Sequence, residues 1–569
     1  MVLDLILLHP PSVYDFRQKT ILYGPVSDLI PSSPVFEMYP IGFASIAEYL
    51  ERAGYQVRIV NLAVRMLNDK NFDAEAMIKR LRSPVFGIDL HWLVHAHGAI
   101  EVAKLVKKYH PEAKVVFGGL SASYYYQELL EYPEIDYMLR GDSTEEPLRQ
   151  LMDCIMNGRQ PEAVPNLVWR DSQGKIQENP FSYIPSDLSN VMVNHYHGII
   201  RSITRHHDLA SYIPFKDWLR YPITAVLTCR GCTQNCVVCG GSAAAFRQFY
   251  NRGKTVFRSP KSVAHDVKQI EHFSNGPIFI LGDLRQPGED YACELLQILR
   301  KDRVKNQLIL ELFSPASEDF LHQVSLSCPG FCLEISPESH DPEVRRASGK
   351  PYSTEALEQT LSDALNVGCR RLDVFFMIGL PKQTPQSVMD TIDYCGSLFE
   401  KFRGDKRLSL FIASLSPFLD PGSLAFEQPE RYGYRILFRT LEEHRQALLA
   451  PSWKYSLNYE TKWMTRQQIV DTAYEAILRL NRLKAKYGII SKQMAEVGEE
   501  RLKAASEMLH RIDDIMSKGN GEEELYRLKA RVDQINMFPV SEKTQLELPL
   551  GLIKLKPWRF LWSWVTGRW

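Results

Sequence analysis

Two runs of alternating strand and helix patterns, separated by an irregular stretch, constrain this chain more than any other feature. In the first run the apolar segments DLILLH (4–9), VRIVNL (57–62), PVFGIDL (84–90), AKVVFGG (113–119) and IDYMLRG (135–141) are short and nearly continuous. Such segments suit strands buried on both faces. Helical patterns at roughly 41–53, 73–82, 97–109, 122–131 and 144–156 lie between or after them. The alternation predicts a doubly wound parallel sheet over 1–157, whose ligand would bind at the carboxyl ends of the strands. Residues 158–220 break the rhythm. NLVWRDSQGKIQENP reads as a hairpin turning at Ser172–Gly174. A polar stretch rich in His and Tyr follows, so 158–220 is expected to be a linker.

The second run occupies 221–424. Strands are expected at 222–228, 277–282, 307–313, 331–336, 372–378 and 408–415, with helices between them such as TEALEQTLSDALNVG, ending on Gly368. Six units in succession predict a full or partial β/α barrel with its chemistry at the strand carboxyl ends. Beyond 425 the strand signal fades. Segments 466–486 and 492–536 read as amphipathic helices, and the fold class is therefore α/β with a mainly helical C-terminal region, 425–569.

Directly after the first barrel strand comes TCRGCTQNCVVCGG, which holds Cys229, Cys232, Cys236 and Cys239. The other six cysteines are scattered in apolar contexts and read as small hydrophobes. Cys232, Cys236 and Cys239 form a C-x3-C-x2-C loop, able to ligate three irons of a cubane cluster and leave the fourth open. Two alternatives are a zinc knuckle, disfavoured because its cysteine pairs would be only three residues apart, and a ferredoxin-type cluster using all four thiolates.

This loop, placed after the first strand of a six-unit barrel, resembles the radical S-adenosylmethionine (SAM) superfamily. The phrases RGC (230–232), LEISPES (333–339) and FFMIGLPKQT (375–384) resemble its cobalamin-dependent branch. The resemblance, which covers residues 1 to about 425, implies a 4Fe-4S cluster whose open iron binds the amino and carboxylate groups of S-adenosylmethionine. Reductive cleavage there gives a 5′-deoxyadenosyl radical. It also implies that Ser336 and Glu338 lie near the ribose or carboxylate, that Gly379 and Pro381 wall the adenine, and that Asp283 stands at the second strand end. The bland readings are a helix N-cap for the first pair and a turn for the second. Where the family often carries Gly-Gly-Glu, this chain has Leu281-Gly282-Asp283.

By the same resemblance the N-terminal sheet is a Rossmann-like cobalamin-binding domain. The D-x-H-x-x-G motif is replaced by His9-Pro10-Pro11, so cobalt ligation by a histidine of that loop is not expected. Asp89 and His91 end the third strand and Gly118-Gly119 the fourth, with 26 residues between His91 and Gly118. That separation resembles the spacing in known cobalamin domains, and paired glycines would let the backbone approach a nucleotide tail. Gly141-Asp142-Ser143-Thr144-Glu145 resembles the segment after the fifth strand. The alternative is a flavin or nucleotide sheet, or one without a ligand; no G-x-G-x-x-G marks the first turn. His91, His95 and His97 read as ordinary surface or core histidines.

The 68 basic residues balance the 68 acidic ones, so no net field draws the chain to nucleic acid. The opening MVLDLILLHPP lacks a basic leader and a cleavage site, and a cytoplasmic protein is expected. The functional expectation is S-adenosylmethionine cleavage coupled to methylation of an unactivated carbon of a small or lipid-like substrate, with a flavodoxin or ferredoxin as electron donor. Alternatives are radical C–C bond or ring formation and a non-catalytic regulator. The tail GLIKLKPWRFLWSWVTGRW carries four tryptophans and four basic residues without an acid, which suits peripheral membrane contact. The competing reading packs it against the barrel or a second subunit.

Overall fold

The computed structural model describes residues 3–25, 33–193, 195–519, 521–536 and 543–567. Its first sheet contains β1 (Leu5–His9), β2 (Val57–Asn61), β3 (Val85–Asp89), β4 (Lys114–Gly118), β5 (Tyr137–Leu139), β6 (Leu167–Arg170) and β7 (Ile176–Glu178). The order is β2-β1-β3-β4-β5-β6-β7. The first five strands run parallel, and the order reverses between β1 and β3, where such sheets bind ligands. Alternate residues of β1 feed opposite faces: Leu5 and Leu7 enter one core, Ile6 and Leu8 the other.

The hairpin expected in the linker extends this sheet. β6 pairs antiparallel with β5, and β7 with β6. Residues 158–220 are thus not a free connection. Their helix His195–His206 is tied to the N-terminal unit by Arg201–Glu48 and Arg205–Glu51, each at 2.8 Å. Tyr196 of the same helix stacks on Phe273 of the second unit.

That unit begins with β8 (Thr224–Leu227). A small antiparallel pair follows, β9 (Cys229–Arg230) and β10 (Val256–Phe257). Then come β11 (Ile278–Leu281), β12 (Leu308–Leu312), β13 (Cys332–Glu338), β14 (Arg371–Ile378) and β15 (Leu408–Ser414). Six parallel strands in the order β15-β14-β13-β12-β11-β8 leave β8 and β15 as edges, so the barrel is partial. One continuous core joins it to the inner face of the first sheet, through residues such as Phe215, Trp218 and Tyr221.

The C-terminal region is mainly helical, with one addition: β16 (Tyr434–Ile436) and β17 (Tyr459–Thr461) pair antiparallel beside the barrel. The helix Arg466–Lys486 stands as read. The stretch expected at 492–536 divides into Lys492–Lys518 and Glu522–Asn536, because Gly519 adopts a left-handed C-cap. Among the described residues no helix is long and apolar enough to cross a membrane.

Candidate active site

The carboxyl ends of the two sheets face each other. Arg230, beside the cysteines, forms a buried ion pair with Glu145 after β5, and Arg252 pairs with Asp142. Tyr124, after β4, donates to Glu427, after β15, at 2.8 Å. Burial works to raise the Glu145 carboxyl, but the Arg230 guanidinium outweighs it and holds the group below the ordinary range.

The cysteine loop is fixed from two sides. Val237 donates its amide to Ser348 O at 3.1 Å and its carbonyl accepts from Ala425 N at 2.9 Å, while Gly240 N bonds Asp420 at 3.0 Å. Gly349 makes the tight approach possible: a Cβ there would lie 2.8 Å from Asn235 O. The four thiols behave differently. Cys232 accepts the Gln234 amide at 3.4 Å and Cys239 accepts the Gly241 amide at 3.3 Å, bonds that favour a thiolate. Cys229 instead donates to Gly231 O at 3.7 Å, and burial pushes its thiol up to about 11. Burial also raises Cys232, Cys236 and Cys239, a penalty that positive iron would reverse. Among the described residues no three His, Cys, Asp or Glu side chains converge on a single-ion site. Cys328, Cys332, Cys369 and Cys395 are buried, as small hydrophobes would be, and Cys154 and Cys293 partly so.

Next to the loop, β13 shifts register between Ile335 and Glu338. Glu338 holds φ +70°, a left-handed conformation that costs a non-glycine residue about 1–3 kcal/mol and collects at functional sites. Lys350 holds it there. Its Nζ lies 2.8 Å from Glu338 Oε1 and also bonds the carbonyl of Ser336. Glu338 Oε2 is buried without a partner. A buried carboxylate oxygen awaiting a donor, beside a three-thiol loop, fits the polar end of an amino-acid ligand. Burial alone would lower Lys350, but Glu338 keeps its pKa raised. Sequence reasoning missed Lys350; its signal was the Gly-Lys step after the short helix Pro342–Ala347.

Asp283 sits at the second strand end as read, but it is not open to a ligand. Arg285 binds both its oxygens, and the Phe313 amide bonds Oδ2 at 2.9 Å. Glu311 of β12 is a carboxylate within electrostatic reach of Cys229 and Cys232; its Oε2 accepts the Gly282 amide, and burial raises its pKa. An isolated Glu within the apolar run LILEL was the available clue. Gly379 and Pro381 form a turn clamped by Gln383, which accepts the Gly379 amide at 2.9 Å. Tyr434 donates to Gly379 O at 2.8 Å, and a Cβ on Gly379 would fall 2.2 Å from the Tyr459 hydroxyl. Packing by the β16–β17 pair therefore accounts for this glycine.

At the switch point of the first sheet, His9 Nδ1 lies 2.8 Å from Asp89 Oδ1, both buried, and His9 Nε2 lies 3.3 Å from Phe36 O. Burial works to raise Asp89, and His9 holds it below the usual range. Burial takes His91 and His95 down to about 4, so both are neutral imidazoles at physiological pH. Asp89 Oδ2 and His95 Nδ1 remain buried without partners, so the crevice has polar capacity to spare and suits a polar-rimmed cofactor. Gly119 is explained differently from the expectation. With φ +118°, its absent Cβ is what lets it pass His91, whose N and Cα would each lie 2.6 Å away; the close neighbour is strand-end backbone. Gly118 is open, with only Leu139 O at 3.9 Å. Gly141 turns at φ +105° against Phe181 and donates its amide to Ser123. Its neighbours Asp142 and Glu145 hold the two units together, a role the sequence did not reveal.

Comparison with known proteins agrees with this arrangement. The B12 binding domain family matches residues 29–149 and the Radical SAM superfamily matches 226–395. A B12 binding domain ahead of a radical SAM domain, with the strand ends of the two turned toward each other, defines an enzyme class. The chain belongs to the cobalamin-dependent radical SAM enzymes, whose cofactors are a 4Fe-4S cluster, S-adenosylmethionine and cobalamin. Hopanoid C-3 methylase of Methylococcus capsulatus is 24% identical over 296 residues, half of this chain and half of that protein. Cytidylyl-2-hydroxyethylphosphonate methyltransferase of Streptomyces wedmorensis is 25% identical over 407 residues, covering 64% of this chain and 73% of the relative. Among solved structures, TsrM of Kitasatospora setae with cobalamin and a 4Fe-4S cluster shares the fold at a TM-score of 0.55 and 17% identity, over 77% of this chain and 81% of that one. The cobalamin-dependent radical enzyme OxsB with aqua-cobalamin superposes at 0.52 and 12% identity, over 100% of this chain and 84% of that one.

Proposed function

We propose that this chain is a methyltransferase that acts on an unactivated carbon of a small or lipid-like molecule in the cytoplasm, using electrons from a flavodoxin or ferredoxin. The observation that carries this reading is the convergence of the two strand-end faces, clamped by Arg230–Glu145 and Arg252–Asp142. When bound, the cluster supplies the electron that cleaves S-adenosylmethionine, and cobalamin carries the methyl group. Cys232, Cys236 and Cys239 hold the cluster and Cys229 does not. Lys350 fixes Glu338 so that its second oxygen meets the amino-acid end of S-adenosylmethionine, with Ser336 alongside. In the first unit His9, tied to Asp89 and Phe36, stays off cobalt. Named methyl transfer in the two relatives adds support. The test is anaerobic turnover with reductant: both 5′-deoxyadenosine and S-adenosylhomocysteine accumulate. Formation of neither contradicts the reading.

The tail adds a location to this function. Helix Pro557–Thr566 starts at its proline, which suits the first helical turn. It docks by Phe560 against Phe273 (5.0 Å between ring centroids), with Lys556 N bonded to Phe273 O. Its other surface stays open: Trp558 is 53%, Trp562 60% and Val565 68% exposed. Leu561 and Trp564 share that exposure, beside Lys554, Lys556 and Arg559. One face thus packs against the second unit and the other is free. Trp569 and Arg568 lie outside the described residues. An aromatic surface ringed by cations fits an anionic bilayer, each cation adding about 1 kcal/mol. Full-length protein therefore co-sediments with anionic vesicles, and a chain ending at Pro549 does not; equal sedimentation removes the membrane role. The helix docks at the foot of β11, away from the cysteine loop, so it would position the enzyme rather than deliver substrate.

A further inference from the structure

The amino ends of the barrel strands surround a second cavity, on the side of the sheet opposite the cysteine loop. Its volume is about 540 Å³. Gln307 precedes β12, Arg371 opens β14, Ser409 lies in β15 and Lys484 comes from the helix Arg466–Lys486. Arg370, Lys406 and Arg407 add cations. Glu547 is the one acid lining it among the described residues, and Arg220 holds that carboxylate.

Some of this positive charge is already matched. Arg371 Nε lies 2.7 Å from Asp373, and Arg407 is paired with Asp405. Lys484 is matched only through space, by Asp373. It is 3% exposed and has no hydrogen bond or ion pair with the described residues; its Nζ lies 4.6 Å from the centre of the Phe411 ring. Arg371 Nη2 is buried and unpartnered, and so is the acceptor Gln307 Oε1. A buried ammonium that served only the fold would be expected to reach a carboxylate, yet Asp373 is committed to Arg371. A lysine without a direct ion pair, an arginine with one orphaned nitrogen and a glutamine with an orphaned oxygen therefore line a space with an excess of positive charge.

The geometry points to a binding site for a phosphate-bearing anion in this cavity. Lys484 and the free nitrogen of Arg371 supply donors to phosphate oxygens, as arginine and lysine do elsewhere. A protonated phosphate oxygen is the donor that Gln307 lacks. Burial lowers Lys484 to about 8, and a bound anion would raise it again. Phosphate chemistry has two sources here. A soluble phosphate ester would enter alone, whereas a phospholipid headgroup would reach the cavity along the segment Leu548–Pro549 that leads to the exposed aromatic helix.

The test uses the full chain and three probes at constant ionic strength: inorganic phosphate, glycerol phosphate, and vesicles of phosphatidylcholine containing phosphatidic acid. Lys484→Met keeps the stem and removes a desolvated charge, so it folds; Arg370→Ala is the second variant. Phosphate is expected to raise the unfolding temperature of the unsubstituted protein saturably. Lys484→Met should weaken phosphate binding by about tenfold or more, and Arg370→Ala by less. A response to glycerol phosphate that Lys484→Met loses assigns a soluble ester. A Lys484-dependent response to the vesicles alone assigns a headgroup. Equal responses of unsubstituted protein and Lys484→Met to every probe, or no response to any, overturn the site.

Discussion

Replacing Cys232, Cys236 or Cys239 by alanine, one at a time, removes the iron–sulfur absorbance and all cleavage of S-adenosylmethionine, whereas Cys229→Ala retains both. In the proposed assignment each of the three supplies one of the thiolates that a cubane with an open iron requires, so no neighbour can replace it. Cys232 and Cys239 accept amide hydrogens, whereas Cys229 accepts none and donates to Gly231 O; Cys232 also donates, to Gln286. Iron and sulfide content with deoxyadenosine yield is the measurement. If Cys229→Ala loses the cluster while Cys239→Ala keeps it, the ligand set is wrong.

Glu145→Ala is expected to cost about 3–5 kcal/mol of stability, because it strands the Arg230 guanidinium in a buried position. The pair is 9% and 7% exposed at its side chains, and Ser45 adds a 2.7 Å bond to the same carboxylate. Since Arg230 lies within the cysteine loop, the variant should also lose cluster during purification. Glu145→Leu combined with Arg230→Met removes both charges and should recover most of the stability. Denaturant unfolding of the single and double variants separates the outcomes. A single-variant cost below about 1 kcal/mol would mean that the pair behaves as an exposed one and does not clamp the units.

The strand runs of both sheets were legible because apolar continuity over four to eight residues is a local signal. The expected strand at 408–415 is Leu408–Ser414, and 57–62 is Val57–Asn61. Partners distant in sequence were not legible. Arg230 and Glu145 are 85 residues apart, Arg252 and Asp142 are 110 apart, and no spacing rule links them. The hairpin at 167–178 is legible as a hairpin, but its pairing with β5 is not, and the stretch therefore reads as a linker. Gly119 and Gly379 marked real constraints, and the neighbours behind them were not legible: each admits close protein packing, His91 backbone in one case and Tyr459 in the other. Asp283 carried the right position and the wrong availability, since Arg285 two residues later takes both its oxygens. The short strands β16 and β17 lie below the length at which alternation becomes readable.

The central claim is that one chain brings a three-cysteine cluster and cobalamin to facing strand ends. Anaerobic turnover with and without bound cobalamin tests it most directly, with both products of S-adenosylmethionine quantified. The account predicts 5′-deoxyadenosine from the cluster-loaded protein in either state, and S-adenosylhomocysteine only when cobalamin is present. S-adenosylhomocysteine at the same rate without cobalamin, or no deoxyadenosine from fully loaded protein, would contradict it.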